Sequence, residues 1–417
     1  MLTRRRFILG AGAIAGGAAV GLSVDRVLSR SGRSVGLVPL GTQPAGLPER
    51  QHAWTAALAR DGNGNPIAPR FDRLLFFDVN GTASLSHVRV LEAALRTLER
   101  AYRWSPSGLL FTAGWGPRYF ERSLQTASPI PRAHGLSDFE LPTIDEYEFC
   151  LHLACDDEQR LEMIERALVH GASLPGAAGS LDLSRALRWR ETRTGFVGAG
   201  LPAARQRTGG IPAGRPVLEQ APLFMGFKSG LVKNQASEDS VTIADGVFAG
   251  ATTMHVSYMR LRLDSWYENL DQRDRVARMY APQVTPTQAA AFTTDAPSEP
   301  GKLEEAIDRY GVIGHAQTSA RARRHGKPLI IRHDFNTVDG GQAGLHFVSL
   351  QRTIDDFVTT RRAMNAASAQ LQNPAITDTV NNGINEFIFV LKRANYIVPT
   401  RSQRSFPLLP GRDHALT

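Results

Sequence analysis

The distribution of apolar and polar residues along the chain predicts a repeated order of strands and helices. In the first half, apolar or alternating runs bounded by turn-forming residues predict strands at 73–80, 109–115, 146–155 and 188–197. Apolar residues three or four positions apart predict a helix from about Ser86 and another after the third of these strands. Strand, helix, strand, taken twice, is the order of the ferredoxin-like unit, an antiparallel sheet with helices on one side.

The second half repeats this pattern less regularly. A long apolar run at 251–263 precedes a short helical stretch at 266–279, and strands are predicted at 329–332 and 345–350. A helix is predicted from about Thr353. One face of that helix is formed by Ile354, Phe357, Arg361 and Met364.

Glycine and proline mark the border between the two halves. Residues 198–215 are rich in both, which indicates a boundary there. We therefore expect an α+β protein of two related ferredoxin-like domains with antiparallel sheets, at 71–215 and 216–417. Residues 34–70 have the turn-rich composition of a linker and an irregular entry to the first domain.

Composition indicates an ordinary globular protein, because 42% of the 417 residues are hydrophobic and 21% are charged. The net charge of +8 would suggest a nucleic-acid partner if it were spread over the chain. However, the first 33 residues hold six arginines against the single acid Asp25, a local charge of +5 that leaves +3 for the remaining 384 residues. We therefore expect no nucleic-acid partner.

The N-terminus has the pattern of a twin-arginine signal at 1–33. The sequence TRRRFIL at 3–9 is followed by an apolar run rich in glycine and alanine that ends at Val24. This predicts the twin-arginine translocase as a partner and an extracytoplasmic location. Whether the signal is cleaved or stays as a membrane tether is left open, because no small-x-small cleavage site stands out.

The chemistry of the chain concentrates in the segment 314–335, which places a histidine 17 residues before an arginine. His315 can be a surface or core histidine, or a metal ligand. Arg332 ends the apolar run 328–331, so it either points into solvent or brings a cation into the interior. A second segment, the glycine-bounded loop GFKSG at 226–230, is of a kind that presents one side chain to a pocket.

In these segments the sequence resembles the dye-decolorizing peroxidases, heme enzymes built from two ferredoxin-like domains. In the first half the matching runs are LLFTAGWGPRYFE at 109–121 and EYEFCLHLACDDEQRL at 146–161. In the second half, GFKSG is similar to the family's G-F-K-D-G loop, and GLHFVSLQ at 344–351 is similar to the run that covers the heme. The resemblance extends over about residues 70–370 and implies the dimeric α+β barrel superfold.

The resemblance also implies a cofactor and a set of site residues. One heme b per chain would be bound, with His315 as the axial ligand of the iron and Leu345 and Phe347 against the macrocycle. Arg332 would lie on the distal side, bind the cofactor and stabilise negative charge as the O–O bond breaks. The implied partners are hydrogen peroxide and an unidentified reducing substrate, and self-association into a homo-oligomer is left open.

The sequence departs from the family at Ser229, where an aspartate is expected to transfer a proton. A serine hydroxyl is a poor base near neutral pH, so another group would have to carry the proton. In a strand, Asp334 lies on the same side as Arg332 whereas His333 faces away, which makes Asp334 the better candidate. The alternative, that Asp334 only pairs with a basic group at the surface, stays open.

Three functions are therefore compatible with the sequence. The first is an exported heme peroxidase whose activity is weakened at Ser229. The second is a heme-binding or iron-acquisition protein on the same scaffold without peroxidase chemistry. The third is a scaffold that has lost heme and serves a structural role.

Overall fold

The structure is a computed structural model and describes residues 46–62, 64–213, 217–228, 235–290 and 302–411. The predicted signal at 1–33 and the residue Ser229 lie outside these ranges. The strands are β1 Phe71–Val79, β2 Leu110–Trp115, β3 Thr143–Ile144, β4 Phe149–Cys155, β5 Leu187–Phe196, β6 Thr252–Leu261, β7 Arg323–Arg324, β8 Lys327–Pro328, β9 Ile331–Arg332, β10 Phe335–Thr337, β11 Gly344–Gln351 and β12 Ile388–Val398.

Among the described helices, the two longest lie in the first half. They are α1 Leu85–Ala101, α2 Glu158–His170, α3 Leu201–Arg205, α4 Glu238–Val241, α5 Leu263–Glu268, α6 Gln272–Met279, α7 Pro286–Ala290, α8 Leu303–Glu305, α9 His315–Ser319, α10 Ile354–Asn365 and α11 Ala367–Gln372. Within the described ranges, every helix falls short of the length and hydrophobicity that a bilayer-crossing segment needs.

Eight of the ten strands in the main sheet form a closed ring. Their order is β10-β5-β1-β4-β2-β12-β6-β11, and β10 pairs with β11 to close it. The first-half strands occupy the run β5-β1-β4-β2 and the second-half strands the run β12-β6-β11-β10, and all of these pairings are antiparallel. The predicted α+β fold of ferredoxin-like antiparallel sheets is confirmed, and two such sheets join edge to edge into a barrel.

Three apolar layers hold this arrangement together. The interior of the barrel is filled from both halves by residues such as Phe76, Met254 and Val348, all of them completely buried. Helices α1 and α2 cover the first-half sheet, and the predicted apolar face of α1 is buried against it. A separate apolar cluster lies between the second-half sheet and its shorter helices.

Local signals explain where the regular helices begin and end. The side chain of Asp157 accepts a hydrogen bond from the backbone N–H of Arg160, 3.2 Å away, and so caps the start of α2. Gly171 ends the same helix in the left-handed conformation, with φ of 66°. These signals lie in the first half, where the predicted elements agree with the observed ones to within a few residues.

Both ends of the described chain pack against the first half. Trp54, before the first strand, is 2% exposed and packs with Leu110 and Ala154. After β12, the guanidinium of Arg404 forms buried ion pairs with Glu92 and Glu99 on α1. The predicted division at residue 215 stays a prediction, although the segment after β12 belongs spatially to the first-half layer.

The barrel interior yields a prediction about stability. Replacing Phe76 by alanine should lower the free energy of unfolding by about 3–5 kcal/mol, because the side chain is completely buried and leaves a cavity. Urea denaturation measures this change. As a control, Leu141→Ala should stay within about 0.5 kcal/mol, since Leu141 is 98% exposed. A loss below about 1 kcal/mol in Phe76→Ala would contradict a packed barrel interior.

Candidate functional site

A largely apolar cavity lies between the second-half sheet and the helices that cover it. Strands β6 and β11 form its floor, α10 forms one wall, and the start of α9 and the segment 223–228 form others. The predicted site residues that line it are His315, Arg332, Asp334, Leu345 and Phe347. The fold therefore brings together five predicted residues that are up to 32 positions apart in the sequence.

Close backbone packing fixes the position of His315 at the first residue of α9. A Cβ atom on Gly314 would lie 1.9 Å from the carbonyl oxygen of Tyr280, so only glycine fits before the histidine. The N–H of Gly314 donates to the Oε1 of Gln317, 2.9 Å away. Gly383 approaches from the other side with φ of 56°, and a Cβ there would lie 3.0 Å from the nitrogen of His315.

The imidazole of His315 is held in its neutral form. Burial, together with the smaller effects of the nearby guanidinium groups of Arg332 and Arg361, lowers its pKa to about 3. No hydrogen bond to this ring is formed by the residues that the structure describes. A neutral imidazole nitrogen facing a cavity is a typical metal ligand.

Arg332 and Asp334 reach the cavity from the edge strand β9. Arg332 pairs with Ser349 of β11, and its backbone N–H donates to Oε1 of Gln235 at 2.6 Å. The backbone N–H of His333 donates to the carbonyl of Val348 at 2.8 Å, which continues the ladder. Alternation along this extended segment therefore places Arg332 and Asp334 on the cavity side.

His333 faces away from this cavity, as the alternation predicts. Its ring contacts that of Trp54, with 4.6 Å between the centroids. Burial lowers its pKa to about 3, so it is also neutral. Its side chain lines a second, neighbouring cavity instead.

Leu345 and Phe347 occupy alternate positions of β11 and point to the helix-covered face of the sheet. Both are half-buried and line the cavity, whereas His346 and Val348 between and after them are completely buried on the other face. Phe347 also packs near Phe357 of α10, at 6.0 Å between ring centroids. These two residues give the cavity its flat apolar floor.

Two buried arginines complete the cavity, and the sequence analysis did not assign them to the site. Arg393 on β12 donates two hydrogen bonds from Nη2 to the carboxylate of Glu140, at 2.9 and 2.8 Å. Arg361 on α10 lies 3.7 Å from the same carboxylate. The Nε atoms of both arginines are buried and have no hydrogen-bond partner. The sequence did contain one signal, because Arg361 interrupts the apolar face of its predicted helix.

These arginines carry more positive charge than their partner neutralises. Burial lowers the pKa of Arg361 to about 10 and also lowers that of Arg393, but Arg361 remains charged at neutral pH. Two guanidinium groups share the single carboxylate of Glu140. A buried excess of positive charge favours an anionic ligand in the adjacent cavity.

The part of the GFKSG loop that the structure describes ends at Lys228. Gly226 has φ of 87°, and a Cβ there would lie 3.0 Å from the hydroxyl of Tyr267, so the loop needs glycine at this position. Lys228 lines the cavity, and its ammonium group lies 3.0 Å from the carboxylate of Asp61. Ser229 follows directly, outside the described residues.

With this geometry in place, comparisons with known proteins identify the family. A model of a family of unknown function, DUF7405, matches residues 69–400. The chain belongs to the DUF7405 family. Among curated proteins, no sequence matches this DUF7405 member.

Solved structures show which fold this DUF7405 member has. It is similar to a DyP-type peroxidase from Cellulomonas bogoriensis, with a TM-score of 0.57 and 20% identity over 85% of this chain and 99% of that one. A DyP-type peroxidase from Streptomyces coelicolor gives 0.56 and 18%, over 86% and 99%. A DypB variant from Rhodococcus jostii RHA1 in complex with heme gives 0.55 and 11%, over 85% and 99%. The DUF7405 member therefore has the fold of the DyP-type peroxidases.

The neutral state of His315 predicts a pH dependence of stability. Its pKa is about 3 in the folded chain, against the ordinary value of 6.5 for a histidine in an unfolded chain, so the unfolded chain takes up the proton first as the pH falls. The stability that depends on neutral His315 is complete above pH 6.5 and is lost between 6.5 and about 3. As the pH falls below 6.5, the free energy of unfolding should decrease by about 1.4 kcal/mol per pH unit more in wild-type protein than in His315→Gln.

Urea unfolding at several pH values between 7 and 4 measures this difference. His170→Gln is the matched control, because His170 is exposed at the end of α2. Equal pH slopes for wild-type protein and His315→Gln would contradict a neutral imidazole with a lowered pKa at this position.

Proposed function

We propose that this protein is a heme-dependent peroxidase that reduces hydrogen peroxide with electrons from a reducing substrate. The observation that carries the proposal is the meeting of His315, Arg332 and Asp334 at one cavity, in a fold shared with DyP-type peroxidases. Export through the twin-arginine pathway belongs to the same proposal and rests on the sequence pattern at 3–24.

The residues at the cavity fit heme in three respects. His315 supplies one neutral imidazole nitrogen, which is the usual axial ligand of heme iron in peroxidases. Leu345 and Phe347 supply an apolar surface for a flat macrocycle. Arg361 and Arg393 supply buried N–H donors without partners, which suit the two carboxylates that heme carries.

The space for a large planar ligand depends on flexible side chains. The cavity encloses about 100 Å³, which is less than a heme requires. Its lining includes Met259, Met279 and Met364. Methionine is unbranched and repacks more readily than other apolar residues, so these three side chains can yield room without a change in the sheet.

Heme, when bound, supplies the iron at which peroxides are reduced, and the chain supplies the surrounding groups. His315 would hold the iron. The guanidinium of Arg332 would stabilise negative charge that develops on peroxide oxygen. The carboxylate of Asp334 would accept the proton from one peroxide oxygen and return it to the other, which is the role that Ser229 cannot perform unaided.

A second candidate function is a heme-binding protein without peroxidase chemistry. Ser229 favours it, because the hydroxyl replaces the carboxylate that the resemblance leads one to expect for proton transfer. The two functions differ in whether Asp334 transfers the proton in place of Ser229. Within the described residues its carboxylate receives no hydrogen bond, and it lies at the cavity beside Arg332.

Replacement of His315 tests the proposed cofactor. His315→Ala should weaken heme binding by about 100-fold or more, because even the loss of groups behind a metal ligand typically costs 10- to 100-fold. Titration of the full chain with hemin, followed by absorbance, measures the affinity. His170→Ala should bind hemin like wild-type protein, since His170 is exposed. Unchanged affinity in His315→Ala would reject His315 as the ligand.

Replacement of Asp334 tests the proposed chemistry. Asp334→Asn should lower the rate of hydrogen peroxide turnover by about 10²- to 10⁴-fold, the usual contribution of a general base, while hemin affinity stays unchanged. Ser229→Asp should raise the rate in wild-type protein and partly restore it in Asp334→Asn. Steady-state assays with a colorimetric reductant measure these rates.

Asp308→Asn is the control for the Asp334 variant, because Asp308 is exposed and lies outside the cavity lining. Wild-type turnover in Asp334→Asn would contradict the proton-transfer role. Hemin binding without turnover in wild-type protein, with turnover gained in Ser229→Asp, would favour the non-catalytic function.

A further inference from the structure

A second cavity adjoins the candidate heme cavity. It encloses about 340 Å³, within the range of pockets that bind small molecules. The two cavities share four lining residues, namely Leu223, Lys228, Arg332 and Asp334. A molecule in the second cavity would therefore lie next to the two side chains to which peroxide chemistry is assigned above.

One wall of this second cavity comes from residues 52–69, and almost all of that segment precedes the family match at 69–400. Three contacts hold it in place. The backbone N–H of Thr55 donates to Glu238 at 2.6 Å, His52 bonds to Thr242 at 2.9 Å, and Asp61 pairs with Lys228 at 3.0 Å. This wall therefore lies almost wholly before the matched residues, whereas the rest of the lining lies within them.

The neutral ring of His52 is among the groups that line this cavity. The hydroxyl of Thr242 donates to the carbonyl of Glu238 at 2.7 Å, so it can only accept from Nε2 of His52. Burial lowers the pKa of His52 to about 4, so the ring is neutral and Nδ1 carries a lone pair. Nδ1 is buried without a hydrogen-bond partner, and the residue is 1% exposed.

The other polar groups at this cavity include both acceptors and donors, among them Asp334, Arg332 and Lys228. The ring of His333 is neutral, so it carries one N–H donor and one acceptor nitrogen. Within the described part of the chain, the carboxylate of Asp334 receives no hydrogen bond. A ligand group that both donates and accepts hydrogen bonds, such as a hydroxyl group, suits this lining.

A further part of the lining is apolar, and the cavity is too large for hydrogen peroxide alone. The apolar part includes Trp54, Leu58, Ile67, Pro69, Val197 and Ile331. A water-sized molecule occupies about 30 Å³, roughly a tenth of this cavity. The occupant must therefore have an apolar body of several carbon atoms together with its O–H group.

We propose that this cavity binds an organic hydroperoxide, R–OOH, with the apolar group R among these side chains and the peroxide group at Arg332 and Asp334. The proposal rests on the proposed peroxidase function and names a further oxidising substrate for it. The overall reaction is R–OOH + AH₂ → R–OH + H₂O + A, where AH₂ is the reducing substrate.

The proton and electron changes follow from this reaction. The O–O bond breaks, and the hydroperoxide gains two electrons and two protons from AH₂. Asp334 accepts the proton of the terminal oxygen and passes it to the oxygen bonded to carbon, which leaves as R–OH. Arg332 stabilises negative charge on that oxygen before the proton arrives.

Ligand binding can be tested without heme. The probe is 2-phenyl-2-propanol, the alcohol product of cumene hydroperoxide, titrated calorimetrically into the full-length heme-free chain. We expect saturable binding that Leu58→Trp abolishes by filling the cavity. Leu141→Trp, at a 98% exposed position, is the matched control and should bind the probe normally.

Asp334→Asn provides a second variant that fills no space. Asparagine keeps the size of the side chain but replaces the carboxylate, which accepts the hydroxyl hydrogen of the ligand, by a neutral amide. Its affinity for the alcohol should fall by about 3- to 10-fold, the usual effect of one hydrogen bond. No saturable binding to wild-type protein, or equal affinity in Leu58→Trp, would overturn the proposal.

Substrate preference is tested with hemin-loaded protein. The ratio of kcat/KM for cumene hydroperoxide to that for hydrogen peroxide should fall by about tenfold in Leu58→Trp and stay constant in Leu141→Trp. If the protein turns over hydrogen peroxide but the ratio is the same in Leu58→Trp as in wild-type protein, the proposed hydroperoxide site is wrong and the proposed peroxidase function stands. The cavity would then have another occupant, such as the reductant. Turnover of neither peroxide would overturn the proposed function itself, whatever the binding result.

Discussion

The buried ion pair between Arg393 and Glu140 is the interaction on which the candidate site depends. Arg393 belongs to β12 in the second half, whereas Glu140 lies on a connection of the first half. The ion pair therefore connects the two halves of the chain beside the cavity. Removal of Glu140 would leave uncompensated buried positive charge, which typically costs about 3–5 kcal/mol.

This ion pair also sets the electrostatics of the cavity. Arg361 shares Glu140, so one carboxylate faces two guanidinium groups. The excess positive charge helps to keep His315 neutral and favours an anionic ligand. Nδ1 of His255 donates to Oδ1 of Asn395 at 2.7 Å, and Nη1 of Arg393 donates to Nε2 of His255 at 3.1 Å. The network thus extends from the cavity into the interior of the sheet.

The sequence predicted the first half well and the second half only in part. The first-half strands and helices have strong periodicity and clear end signals, such as the cap Asp157 and the terminator Gly171. In the second half, strand β12 was not predicted, although it is the longest strand and pairs along almost all of β6. Its polar residues Lys392, Arg393 and Asn395 interrupt the apolar pattern, because Arg393 and Asn395 have buried polar partners in the fold.

Contacts between residues distant in the sequence also limited the prediction of the site. The resemblance to a known family predicts His315 and Arg332, strand alternation predicts Asp334, and the fold brings all three to one cavity. Arg361 and Arg393 were not assigned, because their significance comes from a shared carboxylate more than 200 positions away in the sequence. The second cavity could not be foreseen either, since its wall comes from an irregular segment without periodicity.

The most direct test of the account is the absorption spectrum of purified full-length protein supplemented with hemin, before and after one equivalent of hydrogen peroxide. The account predicts a heme band at one heme per chain that changes on addition of peroxide and returns when a reductant is added. A heme band that peroxide leaves unchanged would contradict the proposed peroxidase function. The absence of any heme band would contradict the proposed cofactor as well.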